Sequence, residues 1–138
     1  KSNILFFYPA IMGNQKNHIN LLKAFEILSR NYKLSYKLLL TIDKNDLANQ
    51  NLRTIPNIIY LGKINYIDIL NIYKSVDFVL FPSTCESYGL PLLEAKINKL
   101  KIIASDMKFV YDICTPYKVF NPFDPQDIFN ILDEIVNP

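Results

Sequence analysis

Val76-Asp77-Phe78-Val79-Leu80-Phe81-Pro82-Ser83-Thr84-Cys85-Glu86-Ser87-Tyr88-Gly89-Leu90-Pro91-Leu92-Leu93-Glu94-Ala95 is the stretch that decides the fold. It opens as an apolar run of strand length, breaks at Pro82 and crosses a polar loop. It resumes at Leu90 or Pro91 as a helix expected to reach about Asn98. A buried strand feeding directly into a helix is half of a βαβ unit. The backbone N–H groups around Tyr88, Gly89 and Leu90 then stand at a helix N-terminus, where unpaired donors and partial positive charge suit a phosphate. Gly89 has no side chain to keep a ligand from the backbone.

Outward from this stretch the same alternation continues. Ile4-Leu5-Phe6-Phe7-Tyr8, Leu38-Leu39-Leu40-Thr41-Ile42, Ile58-Ile59-Tyr60-Leu61 and Ile102-Ile103-Ala104 read as further strands, with 76–81 among them. Their hydrophobicity is continuous rather than alternating, as a parallel sheet covered on both faces requires. Leu21, Ala24, Phe25 and Leu28 recur at helical spacing, as do Ile128, Ile131, Leu132 and Ile135. Residues 67–73 read as a shorter helix, and 43–56 as a polar loop with room for a helical turn. Asp124 caps the last helix, Pro125 suits its first turn and Asp127 adds charge of the favourable sign. The fold class is α/β: a Rossmann-like, doubly wound parallel sheet. Ligands of such sheets bind at the carboxyl ends of the strands, which singles out the loops after Tyr8, Leu61 and Phe81.

Composition narrows the function. With half of its 138 residues apolar, the chain can fill one domain core. A net charge of +2, with Lys and Arg scattered among Asp and Glu, argues against nucleic acid as partner. Its apolar runs are far too short to span a bilayer. The three glycines, Gly13, Gly62 and Gly89, cannot build either a dinucleotide fingerprint or a P-loop. Tyr8-Pro9-Ala10-Ile11 after the first strand lacks the carboxylates of a phosphate-accepting receiver, and no Asp-x-Asp pair follows a strand, so no metal is expected. Cys85 and Cys114 carry no metal or redox spacing and read as two buried, reduced thiols. The lone His18 reads as part of a helix's first turn rather than as a catalytic group.

Two carboxylates remain. Glu94 lies one turn after Leu90 on the same helix face, where it can accept from a vicinal diol such as a ribose. Glu86 precedes the helix, within reach of a sugar hydroxyl or a developing positive charge. Either glutamate alone would be read as an ordinary surface charge.

Together they make Glu-x7-Glu inside Pro-Ser-x-x-Glu-Ser-Tyr-Gly-Leu-Pro-Leu-Leu-Glu-Ala, which resembles the signature of the family 4, or group 1, retaining glycosyltransferases of GT-B fold. The resemblance covers nearly the whole chain. Phe6-Phe7-Tyr8-Pro9-Ala10, Lys16-Asn17-His18 and Leu21-Leu22-Lys23-Ala24-Phe25 are similar to the family's opening strand, phosphate-facing Lys and first helix. Asn57-Ile58-Ile59-Tyr60-Leu61-Gly62 is similar to the strand before its base-binding loop. The resemblance implies that residues 1–138 are the C-terminal, nucleotide-sugar-binding domain of a two-domain enzyme. The opening Lys1-Ser2-Asn3-Ile4, without a signal-peptide layout, fits that expectation.

In that family the resemblance implies catalytic roles for Lys16, on the diphosphate, and Glu86, on the donor sugar. Donor contacts fall to Glu94 at the ribose, Gly62, Lys63 and Ile64 at the base, and Tyr88, Gly89 and Leu90 at the sugar and phosphate. It implies a hexosyl transfer with retention from a nucleotide-diphosphate sugar to a carbohydrate or lipid-linked acceptor, without metal or other cofactor. The N-terminal domain of the same enzyme would be a partner. A bacterial, cytoplasmic protein of polysaccharide biosynthesis is expected, peripheral at the inner face of the membrane through that other domain. A non-catalytic nucleotide-sugar-binding module, and a related GT-B enzyme such as an epimerase or phosphorylase, fit the same residues. Three positions depart from the family pattern: Ala10 stands where many members carry Arg, Lys99 where a Gly usually follows the Glu94 helix, and Lys101 where a Pro is usual.

Overall fold

A computed structural model describes residues 3–31, 35–48, 50–52 and 54–138. In chain order the elements are β1 (Ile4–Tyr8), α1 (His18–Asn31), β2 (Tyr36–Leu40), β3 (Ile58–Tyr60), α2 (Tyr66–Tyr73) and β4 (Phe78–Phe81). α3 (Leu90–Ile97), β5 (Lys101–Ser105), α4 (Lys108–Tyr111), β6 (Lys118–Phe120) and α5 (Pro125–Val136) follow. The described strands form a six-stranded sheet in the order β3-β2-β1-β4-β5-β6, parallel throughout.

β1 shows why the apolar runs are continuous. Phe6, Phe7 and Tyr8 are all fully buried, although neighbours on a strand point to opposite faces. The Phe6 ring meets Phe25 of α1 at 5.7 Å between centroids, and Phe7 meets Tyr73 of α2 at 5.7 Å. Helices therefore cover both faces, with α1 packed along α5 on one of them. All four apolar residues read from the α1 pattern are buried, as are Ile128 and Leu132 of α5. Asp124 caps α5 by accepting from the Gln126 N–H.

Strand boundaries differ from the sequence reading in instructive ways. The second strand is residues 36–40, not 38–42. Thr41 and Ile42 are buried without being strand: Thr41 Oγ1 donates to the Ala10 carbonyl and the Ile42 carbonyl accepts from the Gly62 N–H. The fourth strand starts at Phe78 rather than Val76, because the Asp77 carboxylate takes the Leu5 N–H at 2.8 Å in place of a ladder bond. β6 and α4 are too short to give a periodic signal, and neither was read from the sequence. Cys114 is buried, but Cys85 is exposed, which corrects the expectation of two buried thiols. Cys85 lies in the loop after β4, where it lines an open cleft rather than the core.

The end of α3 explains one departure from the family pattern. Lys99 has φ 57°, the left-handed conformation. Its N–H bonds the Lys96 carbonyl at 3.0 Å, and the Leu100 N–H reaches back to Ala95 at 3.0 Å. That pair of bonds is a Schellman ending, whose left-handed residue is usually Gly. A side chain there costs about 1 kcal/mol, partly offset by the greater freedom that glycine has when unfolded. Lys99→Gly is therefore expected to stabilise the domain by about 0.5–1 kcal/mol in urea melts. No gain in midpoint would mean that the Lys99 stem recovers the cost by packing.

Candidate functional site

β1, β2 and β3 step one way across the sheet, whereas β4, β5 and β6 step the other. The reversal lies between β1 and β4, and the crevice above their carboxyl ends is where an open α/β sheet binds ligand. The loop after Tyr8 and the loop after Phe81 form its two walls.

Those loops are tied together from below. The buried Tyr8 hydroxyl donates to the Lys16 carbonyl at 2.7 Å. Because that uses its one proton, the Ser83 hydroxyl is the donor in the 2.9 Å bond between the two. Burial raises the Tyr8 pKa far above the ordinary phenol value, so the proton stays in place. Thr84 N–H donates to the Gln15 carbonyl at 2.9 Å. Asn17, itself left-handed at φ 65°, donates to the carbonyls of Pro82 and Pro122 at 2.9 and 2.8 Å. Lys16 is thus held at its backbone, and its side-chain ammonium reaches out across the crevice.

That ammonium meets Glu86 across the crevice, with Nζ to Oε2 at 2.7 Å. The Glu86 side chain is only 8% exposed and that of Lys16 is 30% exposed, so the cation is the accessible partner. Around the pair lies a cleft of ≈ 370 Å³ lined by Gln15, Lys16, Cys85, Glu86, Ser87, Tyr88, Gly89, Leu90 and Pro91. Larger cavities of ≈ 490 and ≈ 480 Å³ occur by Lys44 to Tyr60 and by Tyr111 to Val119, but no carboxylate lines either one. Chemistry, not size, selects the cleft at the switch point.

One wall of this cleft is the start of α3. The N-cap is Gly89, at φ 62° with no side-chain cap bond, whereas Asn65 and Asp124 cap α2 and α5 with their side chains. Among the described residues no side chain of the N-cap therefore covers the first-turn amides of α3, and Pro91 has no amide N–H. Gly89 is fixed by its positive φ; a Cβ there would also require the end of the Ile113 side chain to turn aside.

The other site residues read from the sequence lie further along. Glu94, half-buried on α3, does not line this cleft; it turns toward α2, where the Tyr73 hydroxyl donates to its Oε1 at 3.2 Å. The Glu94 carboxylate also raises the pKa of Tyr66, the first residue of α2. Gly62, Lys63 and Ile64 form the loop just before the α2 N-cap, Asn65. The Gly62 N–H already donates to the Ile42 carbonyl at 3.0 Å, so that amide is not available to a base. β3 and β4 stand three strand spacings apart, ~14 Å, so the candidate residues trace an elongated site rather than a single cup. Tyr73, Tyr66, Tyr8, Ser83 and Asn17 were not singled out by sequence reasoning. Asn17, Tyr8 and Ser83 lay inside quoted motifs, within Lys16-Asn17-His18, Phe6-Phe7-Tyr8-Pro9-Ala10 and Pro82-Ser83, but no role was read for them.

His18 begins α1 at 1% exposure. Its Nε2 faces the Ala10 carbonyl at 3.1 Å and its ring lies 4.9 Å from that of Tyr8. This is a structural position below the cleft. Among the described residues no helix is long and apolar enough to cross a membrane.

Comparison with solved structures gives the same architecture. The C-terminal domain of a group 1 family glycosyl transferase from Francisella tularensis superposes with a TM-score of 0.74 at 20% identity, over 99% of this chain and 76% of that one. A glycosyltransferase from Rickettsia africae gives 0.77 at 19% identity, over 97% of this chain and 38% of the relative. A UDP-forming α,α-trehalose-phosphate synthase from Burkholderia xenovorans, in complex with glucose-6-phosphate, gives 0.79 at 12%, over 99% and 36%. The chain thus spans little more than a third of the latter two proteins. No curated protein sequence matches it. The family model described as glycosyl transferases group 1 matches residues 1–137, and with the switch-point cleft in hand the conclusion is direct: the chain belongs to the group 1 glycosyl transferases.

Proposed function

We propose that this chain is the donor-binding half of a hexosyltransferase, taking a nucleotide-diphosphate sugar and passing its sugar, with retained configuration, to a carbohydrate or lipid-linked acceptor. The single observation that carries the reading is the meeting of Lys16, Glu86 and the uncapped start of α3 in one cleft at the switch point. A cation and unpaired amides there answer the charge that develops on a departing diphosphate.

In this reading the diphosphate lies between Lys16 and the amides near Tyr88, Gly89 and Leu90, with the ribose at Glu94. The base lies toward Lys63 and Ile64, and the sugar beside Glu86. Lys16 exchanges its partner when donor binds, leaving Glu86 for the sugar hydroxyls. Attack comes from the face the phosphate leaves, and the departing phosphate takes the proton of the acceptor hydroxyl. No side-chain base is then needed from this half. The acceptor and the second wall of the active site belong to the partner N-terminal domain. A bacterial, cytoplasmic setting in polysaccharide assembly goes with this reading.

Calorimetry of this chain with UDP, GDP and ADP tests it, together with thermal shifts against the corresponding sugar nucleotides. A ligand at 100 times its dissociation constant adds about 2.7 kcal/mol of stability. Glu94→Ala is expected to weaken nucleoside diphosphate binding by about 1.5–3 kcal/mol, through the lost charged hydrogen bonds. Glu86→Gln should spare that binding and damage transfer. Equal nucleotide affinity for wild type and Glu94→Ala would overturn the ribose assignment.

A further inference from the structure

Tyr66 and Tyr73 lie seven residues apart on α2, two turns on one helix face. The Tyr73 phenol bonds Glu94 directly and the Tyr66 phenol feels the same carboxylate, which raises its pKa, but their surroundings differ. Tyr73 is 1% exposed, its ring wedged edge-on against Phe7 of the central strand, and its hydroxyl donates to Glu94 Oε1 at 3.2 Å. Tyr66 is 56% exposed at the start of the helix, directly after the loop that carries Lys63 and Ile64. A carboxylate has about four acceptor positions, so one fixed phenol leaves room for a diol. Burial and the Glu94 charge raise the Tyr73 pKa, which keeps this group a donor.

We propose that Tyr73 is a positioning residue for the nucleoside end of the donor site: its buried hydroxyl fixes the Glu94 carboxylate toward a ribose diol, while the exposed Tyr66 hydroxyl holds the diol's place until the nucleotide arrives. The proposal rests on the ribose reading of Glu94 given above. Burial decides which bond persists. Tyr73 cannot leave without opening the core, whereas the more exposed Tyr66 can turn into solvent at a smaller packing cost. Glu94 is on an element of only eight residues, and without a lateral support its flexible side chain would sample several rotamers. Fixing it before the ligand binds removes that ordering cost from recognition of the diol.

The test is calorimetry on this chain with UDP, GDP and ADP, followed by the 2′,3′-dideoxy form of whichever binds best. Tyr73→Phe keeps the ring against Phe7 and removes only the hydroxyl. It is expected to weaken the ribonucleotide about tenfold and to leave the dideoxy form within twofold of wild type. Tyr66→Phe is expected to leave ribonucleotide affinity unchanged or tighter. A merely structural Tyr73 would weaken both nucleotides equally, and that result overturns the proposal. So does a Tyr73→Phe chain that still prefers the ribonucleotide as strongly as wild type. A ribose-specific loss in Tyr66→Phe equal to that in Tyr73→Phe overturns the place-holding role. Glu94→Ala in the same series separates the two levels. If it shows no ribose-specific loss, the ribose reading falls and takes the proposal with it. If it does and Tyr73→Phe does not, the proposal alone falls.

Discussion

Acidification from pH 6.5 to 4 should cost this fold about 3 kcal/mol through one residue, His18. The imidazole is 1% exposed, and burial pushes its pKa down to about 4 from the ordinary 6.5. The Lys16 charge pushes the same way, whereas the Ala10 carbonyl and Asp46 oppose it. With Nε2 against the Ala10 carbonyl, Nδ1 is buried with no hydrogen-bond partner among the described residues. Protonation would put a proton and a charge on an atom that has nothing to receive either. Between pH 6.5 and 4 the unfolded chain takes up this proton and the folded chain does not, so stability falls as pH falls. Below about 4 both states are protonated and the contribution levels off. Carboxylates also titrate in this range, so the measurement is a difference: urea melts of wild type and His18→Gln at pH 7, 5.5 and 4.5. The variant should be less stable at neutral pH, having lost the ring packed against Tyr8, but flatter with pH. Parallel curves would assign the acid sensitivity elsewhere. The loop that His18 supports carries Lys16, so donor binding should fail along the same acid limb.

The parts of the fold that were legible in the sequence are those whose residues are buried by the sheet itself. Phe6, Phe7 and Tyr8 of β1, and Val79, Leu80 and Phe81 of β4, are covered on both faces, and an uninterrupted apolar run is what that burial demands. The second strand was read two residues late because Thr41 and Ile42 are buried by loops, and hydrophobicity does not distinguish the two kinds of cover. β6, at three residues, is shorter than any period can register. The loop between β4 and α3 was legible because Gly89 and Pro91 have constraints local to one turn of chain, and the two glutamates fall within the same short motif. The pairing of Lys16 with Glu86 was not, since 70 residues separate them and they meet only because β1 and β4 are neighbours. Tyr73 was invisible for a related reason. Its hydroxyl reaches Glu94 of α3, 21 residues further along the chain, and in sequence it is one more aromatic residue on an apolar helix face.

Removing the Lys16 ammonium should lower turnover of the proposed two-domain enzyme by at least ~100-fold, equivalent to roughly 2.7 kcal/mol of transition-state stabilisation. The diphosphate gains charge as the sugar leaves, and only groups that bind this state better than the intact donor raise the rate. A cation ~4 Å from a unit anion near a protein surface gives up to about 4 kcal/mol before desolvation is subtracted. Ala10, where many relatives carry Arg, is buried, so that position offers no second cation. The start of α3 remains, with a partial charge of about half a unit. The pairing with Glu86 adds a further cost. In Lys16→Ala a carboxylate only 8% exposed is left facing the incoming diphosphate without its partner, and repels it. The two losses can be separated. Lys16→Ala/Glu86→Gln should recover nucleotide binding that Lys16→Ala alone has lost, because the repelling charge is gone. Turnover should stay low in both, because neither supplies the cation that the leaving group needs. Affinity for the intact sugar nucleotide in Lys16→Ala should fall much less than turnover does. Steady-state kinetics with the true donor, alongside calorimetry of the same variants, gives both quantities. Turnover within a few-fold of wild type in Lys16→Ala would assign charge neutralisation to another group and leave Lys16 only as the partner that keeps Glu86 in place.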